Sequence, residues 1–214
     1  MSLRSTLTAI FITLIFTRPL AQALITQREI INFDKHQYNG GTQNWKIKQD
    51  SLGRMYFANN EGLLVFDGKY WQLYPLPNKT IVRSIEFGAD GLYVGGQDEV
   101  GFFKGNEYGK LTYHSLIPLV PVSDRKFSDV WEIINYNGEM FFRSSSKIFR
   151  LINNRMIPFS GLWSFLGRTS DKLIAFHKAF GLMEFRNNQW IKLIDIKNLP
   201  NDILITSSAS MSPD

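Results

Sequence analysis

An all-β fold is predicted by three features of the sequence. A unit recurs about four times, each copy carrying a polar turn with Gly or Asp, a short aromatic-rich strand, a second tight turn and a strand that ends on Phe. Beyond residue 23, period-two alternation of apolar and polar side chains is frequent and helical periodicity is scarce, as in strands with one buried face. Asp90-Gly91 and Asn137-Gly138 supply residues that tolerate tight hairpin turns. Short strands between glycine turns, repeated at this size, stack as four-stranded antiparallel blades. The expected architecture is a β-propeller of about four blades plus the start of a fifth, in an incomplete ring.

Taken in order, residues 1–23 read as a cleaved signal peptide: Arg4 precedes an apolar stretch over 7–16, and Ala21-Gln22-Ala23 gives a small-x-small cleavage site. Arg18-Pro19 cuts the apolar run short of the roughly 20 residues that span a bilayer. Residues 24–44 form a lead-in, and 45–205 a partial propeller with blades at about 45–79, 82–121, 130–159 and 163–199. The aromatic second strands of these blades contain Tyr56, Tyr93, Phe141 and Ile174, at intervals that bracket the roughly 40 to 50 residues of a blade. The long interval absorbs the Leu116-Ile117-Pro118-Leu119-Val120-Pro121 connection. Residues 203–208 are expected to open a fifth blade, with 206–214 its truncated start. An open ring would expose a strand edge and an apolar blade face.

The chain of 214 residues has no cysteine, which removes disulfides, thiol nucleophiles and thiolate metal sites together, so packing must hold it. The leader contributes Arg4 and Arg18 and no acid, and its loss lowers the formal charge of +5 by two. Lys and Arg are scattered singly without a basic run, so nucleic-acid binding by this segment is not expected.

Candidate chemistry is sparse. His36, His114 and His177 are the only histidines, none at the close spacing of a metal site, and they read as surface or loop residues. Asp67 and Asp98-Glu99 are carboxylates of the kind a glycosidase needs, but the separation of such a pair cannot be read from repeats, and Asp67-Gly68 fits turn chemistry. Asp50-Ser51-Leu52-Gly53 lacks the alternating ligands of a calcium loop. Trp45, Trp131 and Trp163 recur near the start of three blades, at positions that look equivalent, and are expected to be inter-blade core. Asn78-Lys79-Thr80 fits a glycosylation sequon and reads as a loop. No catalytic, cofactor-binding or metal residue is assigned, no cofactor is expected, and the ligand-binding residues are left open.

The first blade carries Ile47, Asp50, Gly53, Met55-Tyr56-Phe57-Ala58-Asn59, Gly62-Leu63-Leu64-Val65-Phe66-Asp67-Gly68 and Trp71. It resembles the two-component regulator propeller repeat of bacterial periplasmic sensors, especially of the Bacteroidetes type. Asn44-Trp45, Gln49-Asp50, Val82-Arg83-Ser84 and Glu99-Val100-Gly101-Phe102 are similar to the subgroup in which the propeller precedes a triple-tyrosine domain. The resemblance covers about residues 30–205 and is strongest in the first two blades. Tyr56 replaces the usual Trp, Asn59 stands near the usual Thr, and Ser144-Ser145-Ser146 replaces a Gly-containing turn. The resemblance implies an extracytoplasmic ligand-sensing segment of a transmembrane regulator, in the periplasm or outside the cell. The output would be a LuxR-type helix-turn-helix or a histidine kinase, joined through a downstream membrane helix, neither being present here. It further implies a glycan or other small extracellular ligand and a homodimer of the longer parent. A secreted propeller enzyme acting on polysaccharide and a non-catalytic interaction propeller are the alternatives.

Overall fold

A computed structural model describes residues 30–200 and 202–208, so the leader assigned to 1–23 lies outside the described residues. Four antiparallel four-stranded sheets follow one another along the chain, each a simple meander. Blade 1 contains β1 (Asn44–Gln49), β2 (Met55–Asn59), β3 (Gly62–Phe66) and β4 (Trp71–Tyr74). Blade 2 contains β5 (Val82–Gly88), β6 (Gly91–Gly96), β7 (Val100–Gly105) and β8 (Leu111–Ser115). Blade 3 contains β9 (Glu132–Tyr136), β10 (Glu139–Arg143), β11 (Lys147–Ile152) and β12 (Arg155–Ser160). Blade 4 contains β13 (Trp163–Arg168), β14 (Leu173–His177), β15 (Gly181–Arg186) and β16 (Gln189–Asp195). First strands lie beside first strands, β1 by β5, β5 by β9 and β9 by β13. That arrangement puts them innermost and makes the array a β-propeller.

The turns follow from residues that accept positive φ. Asn137 and Gly138, at φ 52° and 80°, join β9 to β10. Asn153-Asn154 and Asn187-Asn188 likewise put both central residues at positive φ, as a two-residue hairpin loop demands. The β2–β3 turn requires Gly62, because at φ 139° a Cβ would sit 2.4 Å from the Tyr74 carbonyl oxygen.

Alternating side chains build a separate apolar layer at each junction. Tyr56, Leu63, Ile85, Val94 and Phe103 fill blade 1 to blade 2. Tyr93, Phe127, Ile133, Phe142 and Phe149 fill blade 2 to blade 3, and Phe141, Ile148, Leu166, Leu173 and Phe185 fill blade 3 to blade 4. Each such side chain contributes about 1.5–3 kcal/mol by leaving water. Buried arginines add directional ties. Arg150 makes a bidentate pair with Glu139 at 2.5 and 2.7 Å and reaches Asn188 of blade 4 at 2.7 Å. Arg143 pairs with Glu132 and donates to the Trp163 carbonyl at 2.9 Å.

The segment 203–208, expected to open a fifth blade, forms no strand. Ser208 Oγ ties it to the Arg168 carbonyl, to which it donates at 3.1 Å, at the end of β13.

Candidate ligand site at the heads of the inner strands

Register breaks at the start of three inner strands. The pairing skips from Asn44 to Lys46 in β1, from Val82 to Ser84 in β5 and from Trp163 to Phe165 in β13. Trp45, Arg83 and Ser164 are the extra residues, and a bulge turns such a residue out of the ladder. Trp131 holds the matching place in blade 3: it immediately precedes β9 and its N–H donates to the Arg143 carbonyl at 2.8 Å.

These residues converge. The Arg83 guanidinium carbon lies 4.0 Å from the Trp45 ring centroid and 4.8 Å from that of Trp131, and the two indoles meet edge-on with centroids 6.0 Å apart. Trp45 Nε1–H donates to Asn60 Oδ1 at 2.8 Å, fixing the outer ring. Asp129 faces Arg83 loosely, with its oxygens 3.4 and 3.5 Å from Nε and Nη2. As a result Arg83 Nε and Nη1 and Asp129 Oδ1 are buried without a hydrogen-bond partner among the described residues. Unmet buried donors and acceptors are rare, and cost about 1–3 kcal/mol each. Trp131 also lines a cavity of about 320 Å³, together with Trp163, Ser164 and Lys178. Behind the site, burial holds the Lys46 amine below the usual lysine range; Glu86 and Glu132 oppose that shift and Lys48 reinforces it.

The recurring tryptophans therefore divide. Trp163 is core, at 4% exposure, but Trp45 is 38% exposed and Trp131 only half-buried. The expectation that all three pack between blades is corrected for Trp45 and Trp131, because they sit one residue later in register than Trp163. The buried counterparts of Trp163 are Val82 and Val130.

The other sequence candidates take structural places. Asp67 Oδ1 accepts from the N–H groups of Lys69 and Tyr70 at 2.8 and 2.7 Å, which hold its carboxyl below the usual range. Asp98 Oδ1 accepts from Phe127 and Ser128 N–H groups, both at 2.7 Å. Glu99 is buried and accepts from Tyr113 Oη and Ser115 Oγ, each at 2.8 Å; burial first and Glu99 second push the Tyr113 phenol up. Gly101 makes that network possible, since a Cβ there would stand 2.3 Å from Tyr113 Oη. Asp50 is raised by burial but more strongly lowered by Arg54, its backbone N–H and Tyr56, while Tyr56 is pushed up to about 12 by burial and by Asp50. His36 and His114 are exposed, whereas His177, read from sequence as a surface or loop residue, is 7% exposed at the end of β14. Its imidazole packs on Trp163 and Phe180, and burial lowers its pKa. No group of three metal-ligating side chains occurs among the described residues.

In fold, the chain is similar to the extracellular domain of the hybrid two component system BT4673 from B. thetaiotaomicron. The TM-score is 0.53 at 17% identity, over 71% of this chain and 21% of that one. It is also similar to virginiamycin B lyase from Staphylococcus aureus, with a TM-score of 0.54 at 16% identity, over 74% of this chain and 57% of the lyase. The chain thus spans about a fifth of the length of that extracellular domain and somewhat over half of the lyase chain. No family model and no curated protein matches it. These likenesses establish the propeller class. No described helix is long and apolar enough to cross a membrane.

Proposed function

We propose that this chain is an extracytoplasmic ligand-sensing propeller segment of a transmembrane signalling or transcription regulator, exported by its leader and without chemistry of its own. The likeness to an extracellular two-component domain supports the setting. The observation that carries a binding role is the unmet Arg83–Asp129 pair between Trp45 and Trp131. These unmet atoms are buried, so a ligand reaches them only as the exposed Trp45 ring moves aside; a hydroxyl then accepts from an Arg83 N–H and donates to the Asp129 oxygen. An indole face accepts the apolar side of a sugar ring. The ligand proposed is accordingly a glycan fragment, whose docking alters packing or dimerisation in the longer parent.

Titration of the chain with a panel of neutral oligosaccharides, followed by calorimetry and tryptophan fluorescence, tests this. Binding should be weakened about 10-fold to 100-fold in Arg83→Ala, the loss expected for hydrogen bonds to a charged group. Absence of binding across the panel, or affinity unchanged in Arg83→Ala, would overturn the assignment.

A further inference from the structure

Blade 4 shows what covers a blade face turned toward its predecessor. Phe185 of β15 and Trp190 of β16 meet Phe159 of β12, the outermost strand of blade 3, at centroid distances of 5.6 and 6.4 Å. Phe66 of β3 and Trp71 of β4 hold the same places in blade 1: Phe66 pairs with Trp71 as Phe185 pairs with Trp190. No described blade precedes blade 1, yet its face is covered. Phe33 lies 5.1 Å from Phe66 and 5.2 Å from Trp71, and Tyr38 lies 5.8 Å from Trp71.

The segment that brings these two rings is fixed at both ends. Asp34 caps the single turn α1 (Lys35–Tyr38) with a full capping box, and Asn39 closes it in the left-handed region at φ 49°. Beyond it, Asn59 is 0% exposed and grips the chain through Gly41 N–H, the Gly41 carbonyl and Asn44 Oδ1 at 2.7–2.8 Å. A side chain wholly buried to make such bonds fixes this segment as part of the blade.

We propose that this face of blade 1 is a blade-docking surface and that residues 33–44 occupy it as a clip, Phe33 standing where the outermost-strand Phe159 of a preceding blade would stand. A neighbouring blade and the clip use the same aromatic surface, so one excludes the other. The aromatic contacts of the clip fall on β3 and β4, apart from Arg83, while its far end at Asn44 adjoins Trp45 of the ligand site.

Hydrogen exchange on the full chain tests the equivalence. Phe33→Ala should speed exchange in β3 and β4 about 10-fold or more and leave β15 and β16 unchanged. Phe159→Ala should do the reverse. Should either variant fold poorly, Phe33→Leu, which keeps part of the contact, should give an intermediate rise confined to β3 and β4. Exchange in β3 and β4 unaltered by both Phe33 variants, or a rise spread equally over all four blades, would overturn the clip.

Discussion

Trp163 and Trp45 both stand at the head of an inner strand, yet one is closed into the junction of blades 3 and 4 and the other is 38% exposed over Arg83 of blade 2. The difference is a single residue of register. Trp163 pairs with His177 just before its bulge, whereas Trp45 is itself the bulged residue. Because side chains alternate across a strand, a shift of one sends a side chain to the other face. The same residue type therefore serves as core in one place and as a partly exposed clamp on a cation in the other.

The largest effect that this contrast predicts is at Trp163. Trp163→Ala should cost about 3–5 kcal/mol in urea unfolding, the range for deleting a buried aromatic. Trp45→Ala should cost no more than about 1 kcal/mol, the value of an exposed cation–π contact. Equal losses from the two would erase the distinction. Next comes Arg150→Met, which keeps much of the side-chain volume but strands Glu139 and frees Asn188. Its expected cost is about 1.5–3 kcal/mol, as for hydrogen bonds to a charged group. Hydrogen exchange in the variant should rise at β11, β15 and β16 and stay level around Trp45; a rise at β1 would mean that the junctions are not independent.

How far each side of this contrast can be read from sequence follows from the same register argument. The blades are legible because apolar alternation and Gly or Asn turns are local; Asn153-Asn154 and Asn187-Asn188 carry the signal as plainly as Asn137-Gly138 does. A bulge is not legible, since one unpaired residue changes no composition and only locally disturbs the alternation. Trp45, Trp131 and Trp163 consequently look alike until their ladder partners are known. Arg83 gives no sign in sequence of standing between two indoles, because Trp45 and Trp131 come from other blades. The tie between Asn59 and Gly41 is hidden for a similar reason: an Asn at a strand end reads as a turn residue, and its burial depends on a segment that precedes the first blade.

The smallest expected effect sharpens the comparison through pH. His177 packs edge-on to Trp163 with ring centroids 4.9 Å apart, and the N–H groups of Leu162 and Ala179 are directed at its Nε2 and Nδ1 at 3.2 and 3.1 Å. A neutral imidazole has one nitrogen free to accept, so either tautomer accepts from one of these two groups, and protonation would remove that bond. Burial lowers the folded-state pKa of His177 below the ordinary value of about 6.5. The unfolded chain therefore takes up a proton first as pH falls. The stability that His177 contributes is full above about pH 6.5 and is lost as pH falls from there through the lower folded pKa. Among the described residues no histidine ring packs on Trp45, so acidification from pH 7.5 to 5.5 should speed intrinsic-rate-corrected exchange in β13 and β14 more than in β1 and β5. His177→Phe should remove that difference. If it persists in the variant, another group titrates at the blade 3–4 junction, and the pH sensitivity does not belong to the buried side of the tryptophan pair.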